Sequence, residues 1–540
     1  MSAFPHTFPL TRRGFFRAAG TAIVATVAPA LTGCASQPGP RWRADPFALG
    51  VAAGEPTPDG FVLWTRLAPD PLSSDPDTPG GMPHRGTTGG DVAIDYEIAT
   101  DPAMRAIVRS GHAIAEADYA HSVHLEVRGL EPGRRYWYRF RSGEADSDIG
   151  QAITAPAAGT PTDRLRFGFV SCANYEHGYF SAYRHLADES PDLVLFLGDY
   201  IYEFVEDRRP TVRKHSDGIE AKTLPLYRNR YAQYRTDPDL RRLHATAPCL
   251  MTWDDHEVQN DYADRWSQTF DDPTAFLRRR ADAYRAFYEH LPVRPSRARP
   301  QGASMRVYER FAFGDLVSFA MLDGRQWRAR ESCYGAPDRG RAHLTVDATC
   351  PERLDATRSM LGDQQEAWLY DRLAKSTTRW NVLGQDVLMA EFRQRQKDDT
   401  FAFWSDDWNG YPAARERLLT HLHDSRVANP VVLGGDIHSF WANDLQLSIG
   451  ARPVTIATEF VGTSVTSPGV PFDYFNDRIA DNPHIRFFES RVRGYGSVDV
   501  ARGRMTTKFR AISDVRDPNA GVTTLKTFVV EDGKPGVQVA

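Results

Sequence analysis

Four short stretches of this sequence concentrate side chains able to hold a metal ion. They are Cys172-Ala173-Asn174, Asp199-Tyr200-Ile201-Tyr202, Asp254-Asp255-His256-Glu257 and Asp436-Ile437-His438. Thiolate, phenolate and carboxylate are anionic donors, a set that suits a highly charged, oxidised metal such as Fe(III). Carboxylate, amide and carbonyl oxygens suit hard cations such as Ca²⁺, Mg²⁺ or Mn²⁺. Tyr202 stands one turn beyond Asp199, so both side chains can reach one ion. Taken singly, each stretch is weak: a Gly-Asp pair is a common turn, a lone His such as His256 is more often a hydrogen-bonded core residue or a cap, and a lone Cys is most often a small buried hydrophobe. Their joint occurrence, each directly after an apolar run, points to one shared site. Two ions there would lower the pKa of a bound water, so that hydroxide is available near neutral pH. No protein nucleophile is then required, and the sequence has no Gly-x-Ser-x-Gly elbow to supply one.

The apolar runs are the elements that must position these groups. Leu165–Val170, Asp192–Leu197, Cys249–Thr252 and Val431–Leu433 read as strands buried on both faces. With the runs 316–322, 381–383 and 455–461 and helical stretches between, such as Gln364–Leu369, they predict an α/β layered domain after residue 162. In such sheets ligands bind outside the carboxyl ends of the strands, where loops distant in sequence gather. Residues 43–158 read differently. Val92–Ile98 and His124–Val127 alternate with period two, and Leu130-Glu131-Pro132-Gly133 precedes Tyr136-Trp137-Tyr138. Short strands with turns between them predict a β-sandwich of immunoglobulin or fibronectin type III kind. Residues 69–90 are expected to form a long loop and 155–161 the linker.

Gly198-Asp199-x-x-Tyr202, Asp255-His256-Glu257 and Gly435-Asp436-x-His438 match the block order of calcineurin-like metallophosphoesterases. The departures from that pattern are Cys172-x-Asn174 where Asp-x-His is expected, Asp255 for Asn, and Asp436 for the first His of the last block. With these departures the set resembles the alkaline phosphatase D family, over nearly all of residues 45–535. Met321-Leu322-Asp323-Gly324-Arg325, Leu361-Gly362-x-x-Gln365, Trp408-Asn409-Gly410-Tyr411-Pro412 and Phe460-Val461-Gly462-Thr463-Ser464 are further matches. The resemblance implies an N-terminal all-β sandwich followed by a four-layer α/β catalytic domain at 162–535, two mixed sheets flanked by helices. It implies one iron and one or two calcium ions. Iron would be held by Cys172, Asp199, Tyr202 and His438, with Asp199 bridging to a second ion bound by Asp255 and Asp436. Asn174 and Asn260 are candidates for the remaining oxygen contacts. His256 could protonate or position the leaving oxygen with Glu257 orienting its ring. Arg325 could grip the phosphate bidentately, the alternative being a surface salt bridge.

The chain has 540 residues, a net charge of −5 and only 5 cysteines. That excludes a disulfide scaffold and leaves no basic footprint for coating nucleic acid. Arg12-Arg13 before the apolar stretch 18–31 resembles a twin-arginine export signal, and Leu31-Thr32-Gly33-Cys34 resembles a lipoprotein box in which Cys34 would carry lipid. Removal of residues 1–33 takes away three arginines and no acid, bringing the charge to −8. Twin-arginine export carries folded proteins and so is compatible with metals loaded before export to the periplasm or cell surface. Cys333 and Cys350 are candidates to pair, and Cys249 reads as packing. The sequence therefore predicts an exported metal-dependent phosphoesterase acting on phosphomonoesters and phosphodiesters. A phospholipase D-like or nuclease phosphodiesterase on the same site is one alternative. A cell-surface binding lipoprotein with structural metals is another.

Overall fold

Strands 164–170, 193–197 and 249–252 lie side by side in parallel, so their carboxyl ends reach the same edge. The structure, a computed structural model, describes residues 41–72, 90–334, 342–447 and 453–540. The twin-arginine segment 1–33, Cys34 and most of the expected loop at 69–90 lie outside these residues.

The parallel trio forms the middle of a ten-stranded sheet. On one side it continues through Arg493–Ala501, Arg504–Ile512, Val522–Glu531 and Lys534–Val539, and on the other through Val51–Thr57, Gly60–Arg66 and Ser122–Val127. A seven-stranded sheet is built around the parallel strands Val317–Met321, Trp380–Gly384, Pro430–Gly434 and Thr455–Val461. Period-two alternation sends successive side chains to opposite faces. Phe167, Phe169, Leu195 and Leu197 therefore join Phe319, Val382, Leu433 and Phe460 in a core containing residues of both sheets. Val194, Phe196 and Met251 instead pack with the helices Ser181–Asp188, Leu224–Arg235, Pro238–Thr246 and Pro273–His290. Leu383 and Val432 pack with Asp363–Ala374 and Pro412–Asp424.

The N-terminal strands build two facing sheets, but not a free-standing sandwich. Val92–Ala99, Ile107–Ala115, Arg135–Ser142 and Gly150–Ile153 form a separate sheet whose inner residues Ile94, Ile98, Tyr138 and Phe140 share a core with Val51, Phe61 and Leu63. The opposing strands belong to the ten-stranded sheet, joined in parallel through Gly54 and Cys249. The segment at 155–160 is pinned as well: Ala155 donates its N–H to the Thr57 carbonyl, and the N–H of Asp315 donates to the Thr160 carbonyl. The boundary near residue 160 is a change of sheet rather than a gap. The turn at Glu131–Gly133 is fixed by the Tyr136 hydroxyl, which lies 3.1 Å from the Glu131 N–H that donates to it.

Two buried histidines make this fold acid-sensitive. Burial holds His244 and His290 well below the usual histidine range, and Arg235 and Arg66 respectively add to it. Their neutral forms are built in: His290 Nδ1 donates to the Ala286 carbonyl while Nε2 accepts from Arg66. The unfolded chain takes up these protons as pH falls below about 6.5, whereas the folded chain does not until lower pH. The stability these two histidines contribute is therefore expected to fall as pH is lowered from 7 to 5. Urea unfolding midpoints of the chain and of His290→Gln, measured across that range, check this: an equal pH dependence in the two would contradict it.

Candidate metal centre

Past the strand ends the backbone turns sharply. Cys172, Asp199, Asp436 and His438 all adopt left-handed backbone, with φ of 60°, 52°, 62° and 51°. Such conformations are uncommon for residues with a Cβ and persist where the surroundings over-determine them. The turn before Asp199 depends on Gly198, whose φ is 96° and whose Cβ, if present, would lie 2.4 Å from that of Asp254. That close approach is what brings the 199 and 254 strand ends together.

The donor atoms of Cys172, Asp199 and His438 lie within 4.8 Å of one another. The Tyr202 hydroxyl joins them, 2.9 Å from Asp199 Oδ2 and 3.1 Å from His438 Nε2, and accepts a hydrogen bond from Ser467 Oγ at 2.7 Å. His438 Nδ1 donates to the Pro468 carbonyl at 3.0 Å, which leaves the Nε2 lone pair facing the group. That is how metal-ligating histidines are usually held. Burial pulls His438 down to about 3, so its imidazole is neutral. Burial, reinforced by Asp199, pushes the Cys172 thiol and the Tyr202 phenol well above their usual ranges. Asp199 and Asp436 are likewise raised by burial among other carboxylates. These groups can all be anionic together only around a cation, and their donor types fit an oxidised transition metal.

Beside this group lies a wholly oxygen-bearing one. Asp254, Asp255 and Asp436 come within 4.8 Å, as do Asp255, Asp261 and Asp406. Asp255 Oδ2 accepts the Asp261 N–H at 2.6 Å and Oδ1 the His256 N–H at 2.9 Å. Asp254 Oδ2 is buried without a hydrogen-bond partner. This donor set fits a hard cation.

The remaining expected residues occupy other positions. Asn174 is fully buried, and its Oδ1 accepts the Glu176 N–H at 2.9 Å, capping a short helix. Asn260 lines a cleft of about 540 Å³ together with Glu203, Phe204, Gln259 and Gln268. Glu257 does not orient His256: its carboxylate accepts the backbone N–H groups of Asp199, Tyr200 and Asp254 at 3.1, 2.6 and 2.8 Å, tying two strand ends together. The partner of His256 is Glu203, whose Oε2 is 2.7 Å from Nδ1. Glu203 Oε1 accepts the Asn260 N–H, and the His256 ring stacks on Tyr202 at 4.1 Å. Despite burial, Asp255 and Glu203 hold the His256 imidazolium well above the usual range.

Arg325 is neither a surface salt bridge nor an open phosphate grip. It is 0 % exposed, with Nε donating to Asp254 at 2.6 Å and Nη1 to Asp406 at 3.0 Å, so its charge is spent on the carboxylates. The neighbouring matched motifs brace this arrangement. Asp323 accepts from Trp253 Nε1, Gln365 accepts the Asp323 N–H, and Asn409 accepts the Phe392 N–H. Glu203, Asp261 and Asp406 were not among the expected site residues. Glu203 directly follows Tyr202, and that adjacency was the one local signal. Asp261 and Asp406 stand in polar loop text that carries none.

A family model described as PhoD-like phosphatase matches residues 167–509, and one for the PhoD-like phosphatase N-terminal domain matches 33–156. Alkaline phosphatase D of Bacillus subtilis strain 168 is 39% identical over 534 residues, 97% of this chain and 88% of that protein. A solved structure titled "Structure of PhoD" superposes with a TM-score of 0.85 at 40% identity, covering 93% of each chain.

Proposed function

The chain belongs to the PhoD-like phosphatase family and is a phosphoric ester hydrolase, and on that premise we propose that it cleaves phosphomonoesters and phosphodiesters at the paired donor groups described above. The observation that carries this reading is the convergence of Cys172, Asp199, Tyr202 and His438 beside an all-carboxylate group that shares Asp199's neighbour Asp255. The first group is assigned to Fe(III) and the second to Ca²⁺. Bound there, the ions supply Lewis acidity toward water and phosphoryl oxygen.

The chain's own residues do the rest. Asp199 lies within reach of Cys172 and His438 on one side and of Asp255 on the other, and would bridge the two ions. Arg325 offsets part of the charge of Asp254 and Asp406, letting the carboxylates crowd without all becoming protonated. His256, with Nδ1 engaged by Glu203, keeps Nε2 for the leaving oxygen and holds the proton that oxygen needs. The core layering of helices, sheet, sheet and helices is read as the four-layer metallophosphoesterase arrangement, preceded by a sandwich that shares one of its sheets.

Export by the twin-arginine route and lipid attachment at Cys34 rest on residues 11–34 alone. Among the described residues no helix is long and apolar enough to cross a membrane.

Elemental analysis of the purified chain tests the metal assignment. Iron at one equivalent, calcium at one or two, and a visible tyrosinate–iron absorption that disappears in Tyr202→Phe are the expected results. Hydrolysis of both ester classes by a chain free of iron and calcium would refute it. Full metal occupancy with no esterase activity would instead favour the binding lipoprotein.

A further inference from the structure

Cys333 and Cys350 are bonded to each other, joining two chain segments that each reach the oxygen-donor end of the site. On the first, Glu331 is buried and lies 3.3 Å from Arg328 Nη2. That guanidinium donates to the Asp406 carboxylate and, through Nη1, to the Asp406 carbonyl at 2.8 Å. On the second, the Ala342 N–H donates to Asp261 Oδ2 at 3.4 Å. His343 and Ser405 exchange hydrogen bonds, the His343 N–H to Ser405 Oγ and the Ser405 N–H to the His343 carbonyl, both at 3.0 Å, directly beside Asp406. Leu344–Val346 then pairs with Phe401–Trp404, the strand that leads into Asp406. At the base, the Cys333 N–H donates to Glu352 Oε2 at 2.7 Å. One segment thus fixes Asp406 through Arg328, and the other fixes Asp261 and the approach to Asp406.

Carboxylates gathered within 4.8 Å repel one another, and the two segments act with Arg325, which donates to Asp406, and Gln268, which donates to Asp261, to hold the pair against that repulsion. A covalent link between the segments limits how far they can part. We infer that the Cys333–Cys350 cross-link positions Asp261 and Asp406, so that affinity for a hard divalent cation at this end of the site is coupled to the thiol–disulfide state of the chain. This rests on the proposed reading of the Asp255–Asp261–Asp406 group as a cation site. In the reducing direction a dithiol supplies two electrons and two protons. The Cys333–Cys350 S–S bond breaks to two thiols as the dithiol closes to its own cyclic disulfide.

The test is Ca²⁺ binding by equilibrium dialysis, using Ca²⁺ alone as the probe on the full chain. Three forms are compared: cross-linked, reduced with dithiothreitol that is then removed, and Cys333→Ser/Cys350→Ser. Binding at least about tenfold weaker in the last two is expected, with iron content and circular dichroism unchanged. Where the double variant does not fold, Arg328→Lys cuts the first connection with the cross-link intact and is expected to weaken binding likewise. Equal affinity in the cross-linked and reduced chains overturns the inference. Failure of the cross-linked chain itself to bind Ca²⁺ overturns the cation reading, and the inference with it.

Discussion

Asp199→Asn is expected to lower kcat/KM by well over a hundredfold and to leave the purified chain short of metal. Asparagine keeps the shape, the left-handed backbone and the hydrogen bond from the Tyr202 hydroxyl, so the fold should survive. What it removes is one negative charge from the residue shared by two donor groups. Outer partners of metal ligands typically cost ~10–100-fold when lost, and a bridging ligand should exceed that range. Elemental analysis beside steady-state kinetics separates the two consequences. Full metal content with full activity in this variant would remove Asp199 from the site.

The second large effect is expected at His256, and its size should depend on the substrate. A proton donor to the leaving oxygen contributes ~10²–10⁴-fold. His256→Ala should therefore lose that much on an alkyl phosphate ester, whose alkoxide leaves badly, and far less on a nitrophenyl ester. Glu203→Ala should show the same dependence in milder form, because it frees the ring from its carboxylate partner. Glu203→Gln, still able to accept from Nδ1, should recover part of the loss on the alkyl ester. A purely structural role for Glu203 would slow both esters equally, and that result would detach Glu203 from the chemistry. Glu257→Gln should instead act on stability, since its carboxylate holds three backbone N–H groups and no ring.

The legible part of this molecule was the part written in consecutive residues. The runs before Cys172, Asp199, Asp254 and Asp436 could be read as buried strands because burial on both faces leaves an unbroken apolar stretch. Their donor residues followed directly in the chain. What could not be read was anything settled by packing between distant segments. Whether a carboxylate beside His256 in sequence or one 53 residues earlier would reach its ring depends on which way the loop after Asp199 turns. Arg325 reads as a phosphate grip or a surface salt bridge until the fold surrounds it with Asp254, Asp386 and Asp406. Asp261 and Asp406 belong to loops with no period to interpret. The N-terminal strands were legible as strands, but strand pairing is a relation between segments. No local pattern in Val51–Thr57 announces that its neighbour is Cys249–Thr252.

That pairing sets an order of events during synthesis. The first strand of the described chain leaves the ribosome nearly two hundred residues before the strand it lies against. Until then its outer edge has unsatisfied N–H and C=O groups, the kind of edge that invites the wrong neighbour. Long-range pairings of this sort are slow to form and leave a growing chain exposed to misassembly. The amino-terminal layer is therefore poorly suited to being a detachable module that matures first and waits. It would be completed from downstream, and a chain cut short before residue 249 would present an open sheet edge rather than a finished domain.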